Sequence, residues 1–167
     1  VDPAMADNGK LYSGFDEDYV RAIGSLAGKA DIILPNVTEA AILSGLPYQE
    51  NIDKNYVNQL LNGLNHPCAV LTGVDFDEYS TGIVLQEGTV QHEHRHKRIR
   101  KGCHGTGDIF AAVFTGALMQ GKNRLDAAKI AADFTCRCIE NTVNAPAHWY
   151  GVKFEPLLPE LMEMLGQ

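Results

Sequence analysis

Two short apolar runs, residues 30–34 and 68–72, constrain this chain more than any other feature. The first is stopped by Pro35 and the second runs into Gly73, and each has the length of a buried strand. Between them lie two helical patterns, residues 38–43, closed by Gly45 and Pro47, and residues 53–64. A strand, helices and a strand make one crossover unit, which sets the two strands parallel with a right-handed connection.

The remaining elements fit the same layout. Residues 16–26 carry Tyr19, Val20, Ile23 and Leu26 at helical spacing behind an acidic first turn. Residues 80–85 and 89–96 are strand-like and joined through Glu87-Gly88, which predicts an antiparallel hairpin at one side of the sheet. Two long helices follow at 109–119 and 124–141, and a last one at 156–165. The first of these is apolar nearly all round and is expected to be buried at the centre. With 167 residues, 45% of them apolar, and no repeat or linker-like stretch, a single unit over 1–167 is expected. The predicted fold is α/β and layered: a mainly parallel sheet with an antiparallel hairpin, flanked by helices. The start at Val1-Asp2-Pro3, without Met, reads as the end of a strand, so a fragment is expected.

Gly105-Thr106-Gly107-Asp108 delivers an aspartate onto the start of the apolar helix. Glycines let backbone N–H groups approach a ligand, and a helix start leaves N–H groups unpaired in a field that favours anions. Asp108 then lies where a phosphoryl-transfer enzyme needs a general base, although it reads equally as a helix N-cap. The chain carries a net charge of -7, yet Arg95, Lys97, Arg98, Arg100 and Lys101 crowd just before this turn. A positive patch beside a phosphate cradle would steer a polyphosphate; the plainer reading is a solvated strand end. The pattern is neither a Walker A loop nor a GxGxxG dinucleotide turn.

Ligands of α/β sheets gather at the carboxyl ends of the parallel strands, where this chain places Asp2 and Asp7, Asn36 and Glu39, and Thr72 and Gly73. With Asp108 these would surround a crevice with oxygens suited to Mg2+ held mostly through water and phosphate. Each has a local reading too, as turn or capping chemistry. His92, His94 and His96 share one strand face and could take a metal, against the commoner polar strand edge. His104, beside the glycine turn, could touch a phosphate or be structural. The acidic balance and the single short basic run argue against nucleic acid or a membrane surface as partner, and no apolar stretch is long enough to span a bilayer. Cys68, Cys103, Cys136 and Cys138 show no CxxC spacing and imply neither disulfides nor metal; with no visible signal peptide, a cytoplasmic setting is expected.

Residues 2–12, 34–40 and 105–110 resemble, in order, the three signature stretches of pyridoxal (pyridoxamine) kinases in the ribokinase-like superfamily, and the likeness runs through essentially the whole chain. The resemblance implies transfer of the γ-phosphoryl of ATP to the 5′-hydroxyl of a B6 vitamer, with Mg2+, on a central mainly parallel sheet flanked by helices. It implies that Asp108 takes the hydroxyl proton and that Gly105, Thr106 and Gly107 form the anion hole. Asp7 and Glu39 would lie near the metal and phosphates, Asn36 would support them, and Thr72 would contact ATP phosphate. Ala4 and Ala6 stand where the family usually has Val and Gly. The likeness starts partway along the family's chain, so the expectation is a nucleotide-binding portion that is inactive by itself and, like its relatives, able to dimerise. Hydroxymethylpyrimidine kinases of the same superfamily typically carry Cys where this chain has Asp108, which favours the B6 branch. The alternatives are a hydroxymethylpyrimidine or sugar kinase, or a non-catalytic nucleotide-binding module whose open sheet edge invites a partner.

Overall fold

A computed structural model describes residues 1–100, 103–145, 148 and 150–167. They form two compact units, Val1–Arg95 and His96–Gln167.

In the first unit a small hairpin, β1 (Ala6–Asp7) and β2 (Lys10–Leu11), precedes helices α1 (Glu17–Ala27), α2 (Val37–Ser44) and α3 (Lys54–Leu64). Strands β3 (Cys68–Asp75), β4 (Ser80–Glu87) and β5 (Val90–Lys97) then form an antiparallel sheet in that order. Parallel pairing continues past β3 through bridges Ile33–Ala69 and Asn36–Thr72. Val1 lies alongside in turn: its amino group donates to Ile32 O at 2.7 Å, and its carbonyl accepts from Leu34 N at 2.9 Å. The crossover read from the two apolar runs is therefore present, with α2 and α3 between the parallel segments.

Local chemistry sets the helix starts. Asp16, Asn36, Asp53 and Asn123 each cap a helix by accepting a backbone N–H three residues on. The unit's apolar core joins Ile33, Ala69, Leu71 and Val84 of the sheet to Val37, Ala40, Leu60 and Leu61 of the helices. One boundary differs from expectation. β3 does not stop at Thr72 but passes a bulge at Gly73, whose φ of +68° carries the strand on to Asp75 against β4. Thr72 is thus where parallel pairing ends, since its N–H donates to Pro35 O at 2.9 Å and β4 alone accompanies β3 beyond it.

The second unit is built on α4 (Thr106–Met119) packed against α5 (Arg124–Val143), followed by α6 (Leu158–Leu165). The expectation that the apolar helix would be buried all round is corrected here. α4 buries Phe110, Val113, Phe114 and Ala117 on one face, while Ala112, Thr115, Gly116 and Met119 are exposed. The more polar α5 is the better buried: Ala127, Ala128, Ala131, Ala132, Phe134, Cys136, Cys138 and Thr142 are covered. Its buried face carries four alanines, so apolarity along a helix does not by itself mark the better-buried one. Thr142 Oγ1 accepts from Lys153 N at 2.8 Å and Asn141 Nδ2 donates to Lys153 O at 2.8 Å, pinning the following segment to α5.

Candidate phosphate and metal site

Four of the residues expected at the strand ends converge within the first unit. Asn36 begins α2 in a capping box: its Oδ1 accepts from Glu39 N at 2.9 Å, and Glu39 Oε2 accepts from Asn36 N at 2.9 Å. Asn36 Nδ2 also donates to Ala6 O at 2.8 Å, and Asn36 bridges Thr72 on β3. Glu39 Oε1 accepts from Met5 N at 3.1 Å. Asn36 and Glu39 therefore fasten the segment carrying Asp7 to the end of the parallel sheet, with Thr72 as neighbour.

The two carboxylates differ in character. Asp7 is exposed and accepts only short local bonds, from Asn8 N at 2.8 Å and Asn8 Nδ2 at 2.9 Å. Glu39 is 2% exposed and both its oxygens are engaged by backbone donors. Burial pushes its carboxyl up to about 7, overriding the N–H donors of Asn36 and Met5, with the nearby charge of Asp2 adding to the rise. Asp7 fits a hydrated Mg2+ because it offers an outward oxygen. Glu39 does not present one; its place is behind the site, holding two backbone segments. Among the described residues no three His, Cys, Asp or Glu side chains gather as a metal centre, so His92, His94 and His96 on the edge strand β5 do not form one.

The glycine turn belongs to the second unit. Gly105 is the N-cap of α4, at φ +85°, and no side chain caps the helix. Asp108 is therefore not the cap; it is the third helical residue, exposed, in a first turn whose N–H groups at Thr106, Gly107 and Asp108 precede the first intrahelical bond, Ile109 N to Gly105 O at 3.0 Å. The left-handed Gly105 makes that open helix start possible, since a Cβ would be strained there.

The basic run divides. Arg95 stacks over the Phe76 ring at 4.2 Å and pairs with Glu93 at 2.7 Å in the first unit. Lys97, Arg98 and Arg100 line a cleft of about 580 Å3 in the second unit, together with Arg137, Asn141 and Asn144. Arg137 is already held by Glu140 at 3.0 Å and Glu160 at 2.9 Å. Lys101 lies outside the described residues, and His104 is exposed. Sequence reasoning missed this cleft and the β1–β2 hairpin, although Asn8-Gly9 is a strong hairpin signal.

The comparisons with known proteins concern the family and the fold. The phosphomethylpyrimidine kinase family model matches residues 1–152. Hydroxymethylpyrimidine/phosphomethylpyrimidine kinase of Bacillus subtilis is 28% identical over 146 residues, covering 86% of this chain and 54% of that protein. Among solved structures, pyridoxal kinase from Lactobacillus plantarum superposes with a TM-score of 0.85 at 32% identity, over 98% of this chain and 60% of that one. Pyridoxal kinase from Leishmania donovani, in complex with ADP and pyridoxine, shares the fold with a TM-score of 0.84 at 23% identity, over 97% of this chain and 57% of that one. The chain spans about half the length of the curated relatives it matches. It is a member of the phosphomethylpyrimidine kinase family, within the ribokinase-like superfamily.

Proposed function

We propose that this chain carries the nucleotide-handling and base-bearing part of a kinase that moves the γ-phosphoryl of ATP onto the 5′-hydroxyl of a B6 vitamer. The observation that supports it most is the uncapped start of α4, where open backbone N–H groups sit beside the exposed Asp108 carboxylate. In this reading the N–H groups of Thr106, Gly107 and Asp108 hold phosphoryl oxygens as charge builds on them. Asp108 accepts the hydroxyl proton while the hydroxyl oxygen bonds to γ-phosphorus and the bond to the ADP oxygen breaks. Lys97, Arg98 and Arg100 draw the nucleotide's charge towards their cleft. Within the first unit, Asp7 would hold Mg2+, which would supply neutralisation of phosphate charge; Thr72 offers a hydroxyl to a phosphate oxygen there, and Asn36 and Glu39 keep that end of the sheet in place. Positioning and charge neutralisation supply most of the effect in such transfers.

A second reading, phosphorylation of a hydroxymethylpyrimidine, is favoured by the curated relatives. Transfer to pyridoxal and to hydroxymethylpyrimidine, measured side by side with the protein expressed from its full gene, separates the two. Asp108→Asn in that protein should lower turnover by about 100-fold or more while ATP affinity is kept. Near-normal turnover of Asp108→Asn would remove Asp108 from the base role.

A further inference from the structure

The turn that carries Asp7 is clamped from outside its own hairpin. Ala6 pairs with Leu11 and Asp7 with Lys10, so Asn8 and Gly9 form a two-residue turn, and both are left-handed at φ +50° and +75°. The Gly9 N–H points away from the hairpin and donates to Thr38 Oγ1 at 3.0 Å. Thr38 is 3% exposed and belongs to the first turn of α2, the same turn in which Glu39 and Asn36 hold Met5 and Ala6. A Cβ on Gly9 would stand 2.6 Å from Tyr48 Cδ1, so the Tyr48 ring lies flush against the turn. Tyr48 in turn follows Pro47, whose carbonyl accepts from Tyr56 Oη at 2.8 Å, which ties the ring's segment to α3.

We propose that Thr38 and Tyr48 are positioning residues for Asp7, fixing the direction in which its carboxylate meets metal-bound nucleotide. The inference rests on the reading of Asp7 as the Mg2+ carboxylate. The hairpin is two residues long on each side and cannot hold its own geometry; short isolated hairpins are marginal in water. The bonds of the Asp7 side chain, among the described residues, run to Asn8, so they turn with the loop rather than fix it. What fixes the loop is a hydroxyl below it and an aromatic face beside it. Glycine at position 9 serves both, since it tolerates the left-handed backbone and leaves room for the ring.

The test is calorimetric titration of ATP into this chain with and without Mg2+, read as the ratio of the two affinities. In the unmodified chain Mg2+ should tighten ATP binding, and Asp7→Asn should abolish that gain. Thr38→Val and Tyr48→Leu should each cut the gain about tenfold, whereas Thr38→Ser and Tyr48→Phe, which keep the hydroxyl and the ring, should retain it. The Gly9 amide resonance reports the clamp directly: its exchange with solvent should quicken in Thr38→Val and not in Thr38→Ser. If Asp7→Asn removes the Mg2+ gain while Thr38→Val and Tyr48→Leu leave it whole, the positioning role is overturned and the reading of Asp7 stands. If Mg2+ has no effect on ATP binding, or Asp7→Asn does not change that effect, the reading of Asp7 falls and the positioning role with it.

Discussion

Replacing Glu39 with Gln tests whether burial or hydrogen bonding governs the carboxylate behind the site. Its carboxyl is raised from an ordinary value of 4.5 to about 7, chiefly because the group is 2% exposed. Between those values the folded chain holds a proton that the unfolded chain has released, so stability falls as pH rises through that window and levels off above pH 7. At about 1.4 kcal/mol for each pH unit, ionising Glu39 in the folded chain costs about 3 kcal/mol. Gln cannot ionise; one of its amide positions faces a backbone donor, Met5 N or Asn36 N, at a pH-independent cost of about 1–3 kcal/mol. Urea unfolding of both proteins from pH 4.5 to pH 8.5 should therefore show the advantage of the natural chain over Glu39→Gln shrinking by about 3 kcal/mol across the window. A carbon-13 titration of the Glu39 carboxyl should have its midpoint near 7. A constant difference between the two proteins, or one that grows with pH, would refute the reasoning; it would mean that the two backbone N–H donors balance desolvation in the first case and outweigh it in the second.

Two further outcomes follow from the second unit and the cysteines. Phe134, 1% exposed on α5, should cost about 3–5 kcal/mol on replacement by Ala in urea unfolding, because burial of the ring is lost and a cavity is left in its place. Disulfide-exchange reagent at pH 8 should modify Cys103 first, since it alone of the four is not buried. Burial pushes the Cys138 thiol up to about 12 and that of Cys136 upward as well, so these should react only as fast as the chain opens, as timed mass spectrometry would show.

Much of the architecture was legible because it is local chemistry. Asp16, Asn36, Asp53 and Asn123 cap helices through their own side chains, and Gly45 closes α2 in the left-handed conformation that glycine favours. The crossover followed from two apolar runs and the helices between them, and the β4–β5 hairpin from Glu87-Gly88. The β1–β2 hairpin was equally legible in Asn8-Gly9, but strands of two residues carry no apolar alternation to draw attention to them.

The residue types at the site came from sequence; their division of labour came from tertiary structure. Asp7 and Glu39 are both acidic residues near a strand end; the sequence sets one in a turn and the other in capping chemistry, and it does not say how deeply either is buried. The fold leaves Asp7 in solvent on a clamped turn and buries Glu39 between two backbone donors, where burial pushes its carboxyl up to about 7. Asp108 likewise could cap α4 or stand free, and Gly105 decides this by taking the cap position itself. Apolarity favoured α4 as the buried helix of the second unit, whereas packing covers α5 better. The sequence by itself thus determined where helices and turns begin and which chemistry stands near the strand ends, because caps, glycines and periodicity act within a few residues. Burial depends on atoms brought from far along the chain, and so only the tertiary structure decided which carboxylate faces solvent, which is buried against backbone donors, and which helix of the second unit is the better covered.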